Sequence, residues 1–254
     1  MAGCAAEVVT DPTADWNAQD LYDEAMRAIN SGEFQASIKH LQALEARFPF
    51  DPYAKQAQLD VAYSYYKFEE YDTALSAIDR FIRLHPREPN IDYALYLRGL
   101  INFNRGRGLL NDWFPHDLAR HDPTVMQESF DDFSRLVKRY PDSFYAGDAH
   151  QRLIFLRNKM AEAEIKAAEY YQQRGTWLGV ANRAKAVIEK YPQSIWRNDA
   201  LRMLIMAYQE MGLTELAADA QRVLDLNEVA SVRGVADRQK QVPTSLLDRL
   251  IRSD

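Results

Sequence analysis

Histidine, cysteine and paired carboxylates are the residue types from which metal and acid–base centres are built, and this 254-residue chain spreads them thinly. The densest set is His116 and His121 among Asp112, Asp117 and Asp122. Five-residue spacing on an irregular segment defines no ligand geometry, so the set is expected to be a solvated charged loop that holds no metal. His40, His85 and His150 stand far apart, and Cys4 is the single cysteine, which rules out an intrachain disulfide and a thiolate zinc site. No nucleophile motif, phosphate-binding loop or carboxylate pair stands out. No catalytic residue and no cofactor are therefore expected, and the chain does not look like an enzyme. The side chains left with recognition chemistry are aromatic: fourteen tyrosines, eleven phenylalanines and four tryptophans. An aromatic ring with a polar tip suits a half-wet binding surface.

Cys4 has a different chemistry available. Ala2-Gly3-Cys4 matches the end of a bacterial lipoprotein signal, where small residues precede a cysteine that becomes the lipidated N-terminus. The charged and apolar parts of such a signal are expected to have been removed here, with Met1 in place of the upstream leucine. A lipidated Cys4 anchors firmly, because each buried methylene contributes roughly 0.8 kcal/mol. Residues 1–15, with Asp11-Pro12, are expected to form the tether.

Positioning a row of aromatics requires regular elements, and the sequence supplies them as repeats. A turn signal, a small residue, a bulky apolar residue and a proline recur as Gly32-Glu33-Phe34 with Ser37, Leu41 and Pro49, and as Glu69-Glu70-Tyr71 with Ala74, Ile78 and Pro86. They recur again as Ser129, Phe133 and Pro141, and as Gly175-Thr176-Trp177 with Ala184 and Pro192. Gly212-Leu213-Thr214 with Ala217 is a fifth copy without its proline. The turn joins two amphipathic helices, the small residue lets them approach, and the proline ends the pair. This is the tetratricopeptide (TPR) pattern of about 34 residues. With 47% hydrophobic residues and no sustained alternation, the chain is expected to be all-α, a TPR superhelical solenoid of about five helical hairpins with a loop insertion in the third repeat. Helices are predicted over 16–30, 34–48, 52–68, 71–84, 91–105, 124–140, 144–174, 196–211 and 214–227. The solenoid spans 16–228, with an N-terminal half over 16–105, an inserted loop over 106–123 and a C-terminal half over 124–228. Residues 229–254 form a basic tail, irregular over 229–241, with a short amphipathic helix through Leu246, Leu247, Leu250 and Ile251.

The first helix of each TPR hairpin lines the inner face. With Gly32, Glu69 and Gly99 placed in register, that face carries Tyr22, Met26 and Ile29, then Leu59, Tyr63, Tyr66 and Lys67, then Tyr93, Tyr96, Leu100 and Phe103. The alternative role for these residues is packing between helices, but Ala25, Ala62, Ala74 and Leu75 already occupy packing positions. The stripe predicts a groove for an extended apolar peptide, with Lys67 available to a C-terminal carboxylate. Tyr22, Met26, Leu59 and Tyr63 stand where a lysine–asparagine clamp for a chaperone C-terminus would begin, so that chemistry is absent. A net charge of −6 opposes nucleic acid as a ligand.

The stretch Phe81-Ile-Arg-Leu-His-Pro-Arg-Glu-Pro-Asn-Ile-Asp-Tyr-Ala-Leu-Tyr-Leu-Arg-Gly-Leu100, with the segments 48–53 and 168–177, resembles the BamD family. These are TPR lipoproteins of the outer-membrane β-barrel assembly machine. The resemblance spans about 20–224, and Trp113-Phe114 followed by Asp117 and Arg120-His121-Asp122-Pro123 is similar to the family's aromatic, Asp-Arg-rich insertion. It implies a non-enzymatic protein on the periplasmic face of the outer membrane of a Gram-negative bacterium, held there through its lipid anchor only. The N-terminal half would hold C-terminal segments of unfolded outer-membrane proteins. The C-terminal half and the loop, through Trp113, Phe114, Trp177, Trp196, Arg197 and Tyr208, would dock on a POTRA domain of a BamA-type insertase and on companion Bam lipoproteins. A pilotin-type TPR lipoprotein for secretin assembly and a cytosolic TPR adaptor are the alternatives.

Overall fold

The computed structural model describes residues 12–105 and 123–240, all of their regular structure helical. The helices are α1 (Ala18–Ser31), α2 (Phe34–Arg47), α3 (Pro52–Lys67), α4 (Tyr71–Leu84), α5 (Ile91–Arg105), α6 (Pro123–Arg139), α7 (Ala146–Gln173), α8 (Trp177–Lys190), α9 (Arg197–Glu210) and α10 (Thr214–Lys240). They pair in chain order as hairpins of TPR type, an all-α repeat architecture. Two sequence expectations differ from the structure. Gly99, placed in register with the turn residues Gly32 and Glu69, lies inside α5, where an added Cβ would sit 2.6 Å from the Phe133 ring, so its lack of a side chain lets α6 approach. And α10 continues to Lys240 where irregular chain was predicted from 229. Cys4, Trp113, Phe114, the histidine–aspartate set and the C-terminal amphipathic segment lie outside the described residues.

The turns show why the hairpins form. Gly32, Glu69, Gly175 and Gly212 all have φ between 63° and 77°, the left-handed conformation that ends a helix. At each, two backbone N–H groups turn back to the helix just ended, as Gly32 to Ile29 and Glu33 to Ala28 in the first hairpin. These bonds satisfy carbonyls that the helix end leaves open. Starts are equally local. Asn17 and Asp20 form a reciprocal capping box on α1, and Asp51 caps α3 ahead of Pro52.

The chain divides into two compact units, Met1–Leu153 and Ile154–Asp254, with α7 contributing its first turns to one and the rest to the other. In the first unit, Leu21, Ala25, Leu41, Leu44 and Ala57 build one core, and Leu59, Ala62, Ala74, Ile78, Phe81 and Leu97 build the next. The small residues of the second helices are fully buried: the Ser37 hydroxyl meets that of Ser64 at 3.1 Å, and Ser129 donates to the Gly99 carbonyl at 3.0 Å. In the second unit Ala161, Ile165, Val180, Ala184, Leu201 and Ala220 form a separate core.

Helix α1 is fixed at its entry by Arg47, whose guanidinium donates to the backbone carbonyls of Thr13, Ala14 and Trp16 at 2.7–2.9 Å. The Trp16 ring stacks on His40 at 5.8 Å. This ties the segment ahead of the repeats to the first hairpin.

Candidate functional site

The odd-numbered helices of the first unit carry the tyrosine stripe, and their side chains meet. Tyr22 of α1 stacks on Tyr53 at the start of α3, with centroids 5.0 Å apart, and its hydroxyl donates to Asp60 Oδ2 at 2.9 Å. Gln56 Nε2 donates to Asp60 Oδ1 at 2.9 Å. Tyr93 of α5 feels the charge of Asp60 and neighbours Tyr63 and Tyr66. Tyr145, ahead of α7, bridges onward, 5.2 Å from Tyr93 and stacked on Tyr96 at 4.8 Å. The Tyr96 hydroxyl donates to Asp148 at 2.7 Å, and Arg152 Nε holds the same carboxylate at 2.5 Å. The Arg152 guanidinium lies 5.0 Å over Phe103 and 5.9 Å over Phe133. Tyr22, Tyr63, Tyr66, Tyr93, Tyr96 and Phe103 are all half-buried. The row thus presents part of each ring outward while the rest packs on the next helix.

The electrostatics divide the row. Burial pushes the Tyr22 and Tyr93 hydroxyls well above the ordinary phenol range, with the charge of Asp60 adding to it, and Tyr96 is pushed up to about 12 by burial and by its bond to Asp148. All three stay neutral phenols, and those of Tyr22 and Tyr96 donate to Asp60 and Asp148. Burial also raises Asp60, and the hydrogen bonds from Gln56 and Tyr22 offset only part of that. At Asp148 burial has the same sign, but Arg152 and Tyr96 outweigh it and hold the carboxyl below its usual range.

Several predicted groove residues sit differently. Leu59 is 1% exposed and belongs to the core among α3, α4 and α5, so it lines no open surface; its position on α3 turns it toward Ile78 and Leu97. Met26 is half-buried on α1. Tyr66 accepts a hydrogen bond from Asn104 Nδ2 at 2.9 Å, which directs its hydroxyl to α5. Lys67 is exposed, with its ammonium 5.8 Å over the Phe34 ring. The sequence reading missed Tyr53, Asp60, Tyr145 and Asp148. Two aromatics near helix starts that follow a proline, Tyr53 next to Pro52 in α3 and Tyr145 four residues after Pro141 and just ahead of α7, were a legible signal. The two aspartates were not, because an isolated acidic residue on a helix looks like solvated surface until the neighbouring helix is placed.

In the second unit, Trp177, Trp196 and Tyr208 are half-buried and pack on the core, and Arg197 at the start of α9 is half-buried beside them. Much of their bulk already serves the fold. Their chain neighbours Leu178 and Ile195 are open apolar groups, at 64% and 72% exposure. A cleft of about 410 Å³ lies along α7 and α8, lined by Glu164, Tyr171, Leu178, Asn182, Arg183 and Lys190, with Arg183 paired to Glu164 at 3.0 Å. Among the described residues no group of histidine, cysteine and carboxylate side chains has the geometry of a metal site.

The arrangement has the chemistry of a binding surface: phenol donors, half-open ring faces and, at Asp60, a carboxylate with no lysine or arginine paired to it among the described residues. A family model described as YfiO, outer membrane lipoprotein, matches residues 14–224. The outer membrane protein assembly factor BamD of Neisseria meningitidis serogroup A is 42% identical over 231 residues, covering 89% of this chain and 86% of the relative. BamD of Vibrio cholerae is 36% identical over 227 residues, covering 89% and 93%. With this identity extending over nearly the whole repeat region, the chain belongs to the BamD family of outer membrane protein assembly factors.

Proposed function

We propose that this protein is a non-enzymatic lipoprotein of the outer-membrane assembly machinery that holds unfolded outer-membrane protein segments along α1, α3 and α5. The observation that carries this reading is the two sets of ring contacts, Tyr22–Tyr53 and Tyr93–Tyr145–Tyr96, with the rings half-buried and the Tyr22 and Tyr96 hydroxyls donating to Asp60 and Asp148. An extended segment with alternate aromatic residues buries its rings against such a row and offers its backbone to the hydroxyls. Ordering a disordered segment costs entropy, so affinity is modest and release easy, as a transfer step requires. The names of the relatives support the setting. The second unit, with Leu178 and Ile195 exposed beside Trp177 and Trp196, serves as the docking side for a BamA-type POTRA domain and companion Bam lipoproteins. Attachment is through lipidated Cys4 on the periplasmic face of the outer membrane.

The test is the double variant Tyr93→Ala/Tyr96→Ala. Its affinity for a peptide with alternating aromatics, measured by fluorescence titration, is expected to fall more than tenfold, since each buried aromatic face contributes on the order of 1–2 kcal/mol. Capture of a purified POTRA domain is expected to persist, because repeats couple chiefly through their neighbours. Equal loss of both would show that the tyrosines only hold the repeats together. Unchanged peptide affinity would place the groove elsewhere.

A further inference from the structure

Two tyrosine–carboxylate pairs occur along the row, and they differ in one respect. At Tyr96–Asp148 the carboxylate is neutralised by Arg152, whose guanidinium also lies over the rings of Phe103 and Phe133. At Tyr22–Asp60 the rings of Tyr22 and Tyr53 are stacked and Tyr93 is close, yet among the described residues no lysine or arginine pairs with Asp60. Its two oxygens each accept one hydrogen bond, from Tyr22 and from Gln56. An ionised carboxylate has about four acceptor positions, so about half remain open. The carboxylate is half-buried, in the same stripe as the half-buried tyrosines. Asp23 adds a second negative charge near Tyr22.

From this asymmetry we infer that Asp60, bonded by Tyr22 on whose ring Tyr53 stacks and with Tyr93 close by, is a recognition site for a cationic side chain of the bound peptide, arginine in particular. Arg152 shows within this same row how the chemistry is satisfied: one planar guanidinium bonds the carboxylate and covers aromatic faces. At Asp60 that cation has to come from the guest. Arginine suits the place better than lysine because its flat fork pairs with a carboxylate and stacks on rings at once. The consequence is a specificity rule absent from the sequence pattern. The groove selects a segment with alternating aromatics that also carries a positive charge among its polar positions. Lys67, exposed beside Phe34, supplies no counter-charge to Asp60. The inference rests on the groove proposed above for the aromatic part of the peptide and on the Asp60 site alone for the cation.

The experiment uses the full chain and a set of labelled peptides with alternating aromatics, in which one arginine is placed in turn at each polar position, each compared with its citrulline twin. Citrulline keeps the shape and removes the charge. At one position or at adjacent alternate positions, wild-type protein is expected to prefer arginine by about tenfold, as a desolvated cation on a carboxylate with aromatic walls should. Asp60→Asn, which retains an acceptor for Tyr22, is expected to remove the preference by lowering arginine affinity to that of citrulline. Absence of a preference at every position, or its persistence in Asp60→Asn, overturns the inference. N-acetylarginine amide separates this result from the fate of the groove itself. Selective shifts of the Tyr22 and Tyr53 ring resonances in wild type, lost in Asp60→Asn, support the cation site even if no aromatic peptide binds. Without such shifts in that case, the cation site falls together with the groove.

Discussion

Asp60, where α3 meets Tyr22 of α1, and Asp148, where α7 meets Tyr96 of α5, have opposite electrostatic outcomes. Asp148 gains from ionising, because the bonds from Arg152 and Tyr96 outweigh its burial; its stabilising effect is present above the ordinary carboxylate pKa and is lost as pH falls through its depressed folded-state value. Asp60 runs the other way. Below the ordinary aspartate pKa of about 3.9 it is protonated in folded and unfolded chains alike. Between that value and its raised folded-state pKa the folded chain holds the proton more tightly, so stability falls as pH rises through the window and stays lower above it. Asp60→Asn is therefore expected to melt at a higher temperature than wild type at pH 7, with the difference vanishing near pH 3. Thermal unfolding by circular dichroism at the two pH values checks this, and a lower melting temperature for Asp60→Asn at pH 7 would show that the carboxylate stabilises the row. A higher melting temperature for Asp60→Asn would support the recognition role proposed for Asp60 over a role in holding the fold.

At the scale of elements, a four-fold turn rule fixes the hairpins, and one turn departs from it. Glu69 adopts φ 63° where Gly32, Gly175 and Gly212 occupy the same place in their hairpins. A residue with a Cβ pays roughly 1 kcal/mol in this conformation, partly offset because glycine loses more freedom on folding. Glu69→Gly is expected to raise stability by about 0.5 kcal/mol, read as a higher urea midpoint with an unchanged slope. The turn rule is also why the hairpins were legible in sequence: glycine, small residue and proline each act locally, and Ser37, Ala74 and Ser129 are fully buried where the pattern placed them. Contacts between helices were less legible. Sequence alone sets Gly99 in register with the turn residues because a glycine's chemistry is the same whether it supplies a positive φ or a space, and only the Phe133 ring against it decides for space. Leu59 fell to the core for a related reason. Helix α3 buries residues on more than one side, Ala54, Ala57, Leu59, Val61, Ala62 and Ser64 among them, so periodicity alone could not tell its open face from its packed ones. The tyrosines were legible as a stripe, while Asp60 and Asp148 needed the neighbouring helix.

For the whole molecule, the proposed function requires a binding unit that stays at the membrane, and the chain offers a specific way to achieve it. Among the described residues no helix is long and apolar enough to cross a membrane. The proposed attachment is Cys4, nine residues before Thr13, where Arg47 grips the backbone. Nine residues span at most about 30 Å at full extension, so a lipid on Cys4 keeps Thr13, where the first hairpin is gripped, within that distance of the bilayer surface. Acyl chains hold it there, each methylene contributing about 0.8 kcal/mol, while the Arg47 bonds carry the restraint from the tether to α2. Expressed behind a lipoprotein signal in a Gram-negative host, the protein is expected to incorporate labelled palmitate and to fractionate with the outer membrane. Cys4→Ser is expected to abolish the label and release the protein from membranes of cells that lack the companion factors. A protein that remains unlabelled with Cys4 intact would overturn the anchor. A Cys4→Ser chain that stays fully membrane-bound in those cells would assign attachment to some other surface of the protein.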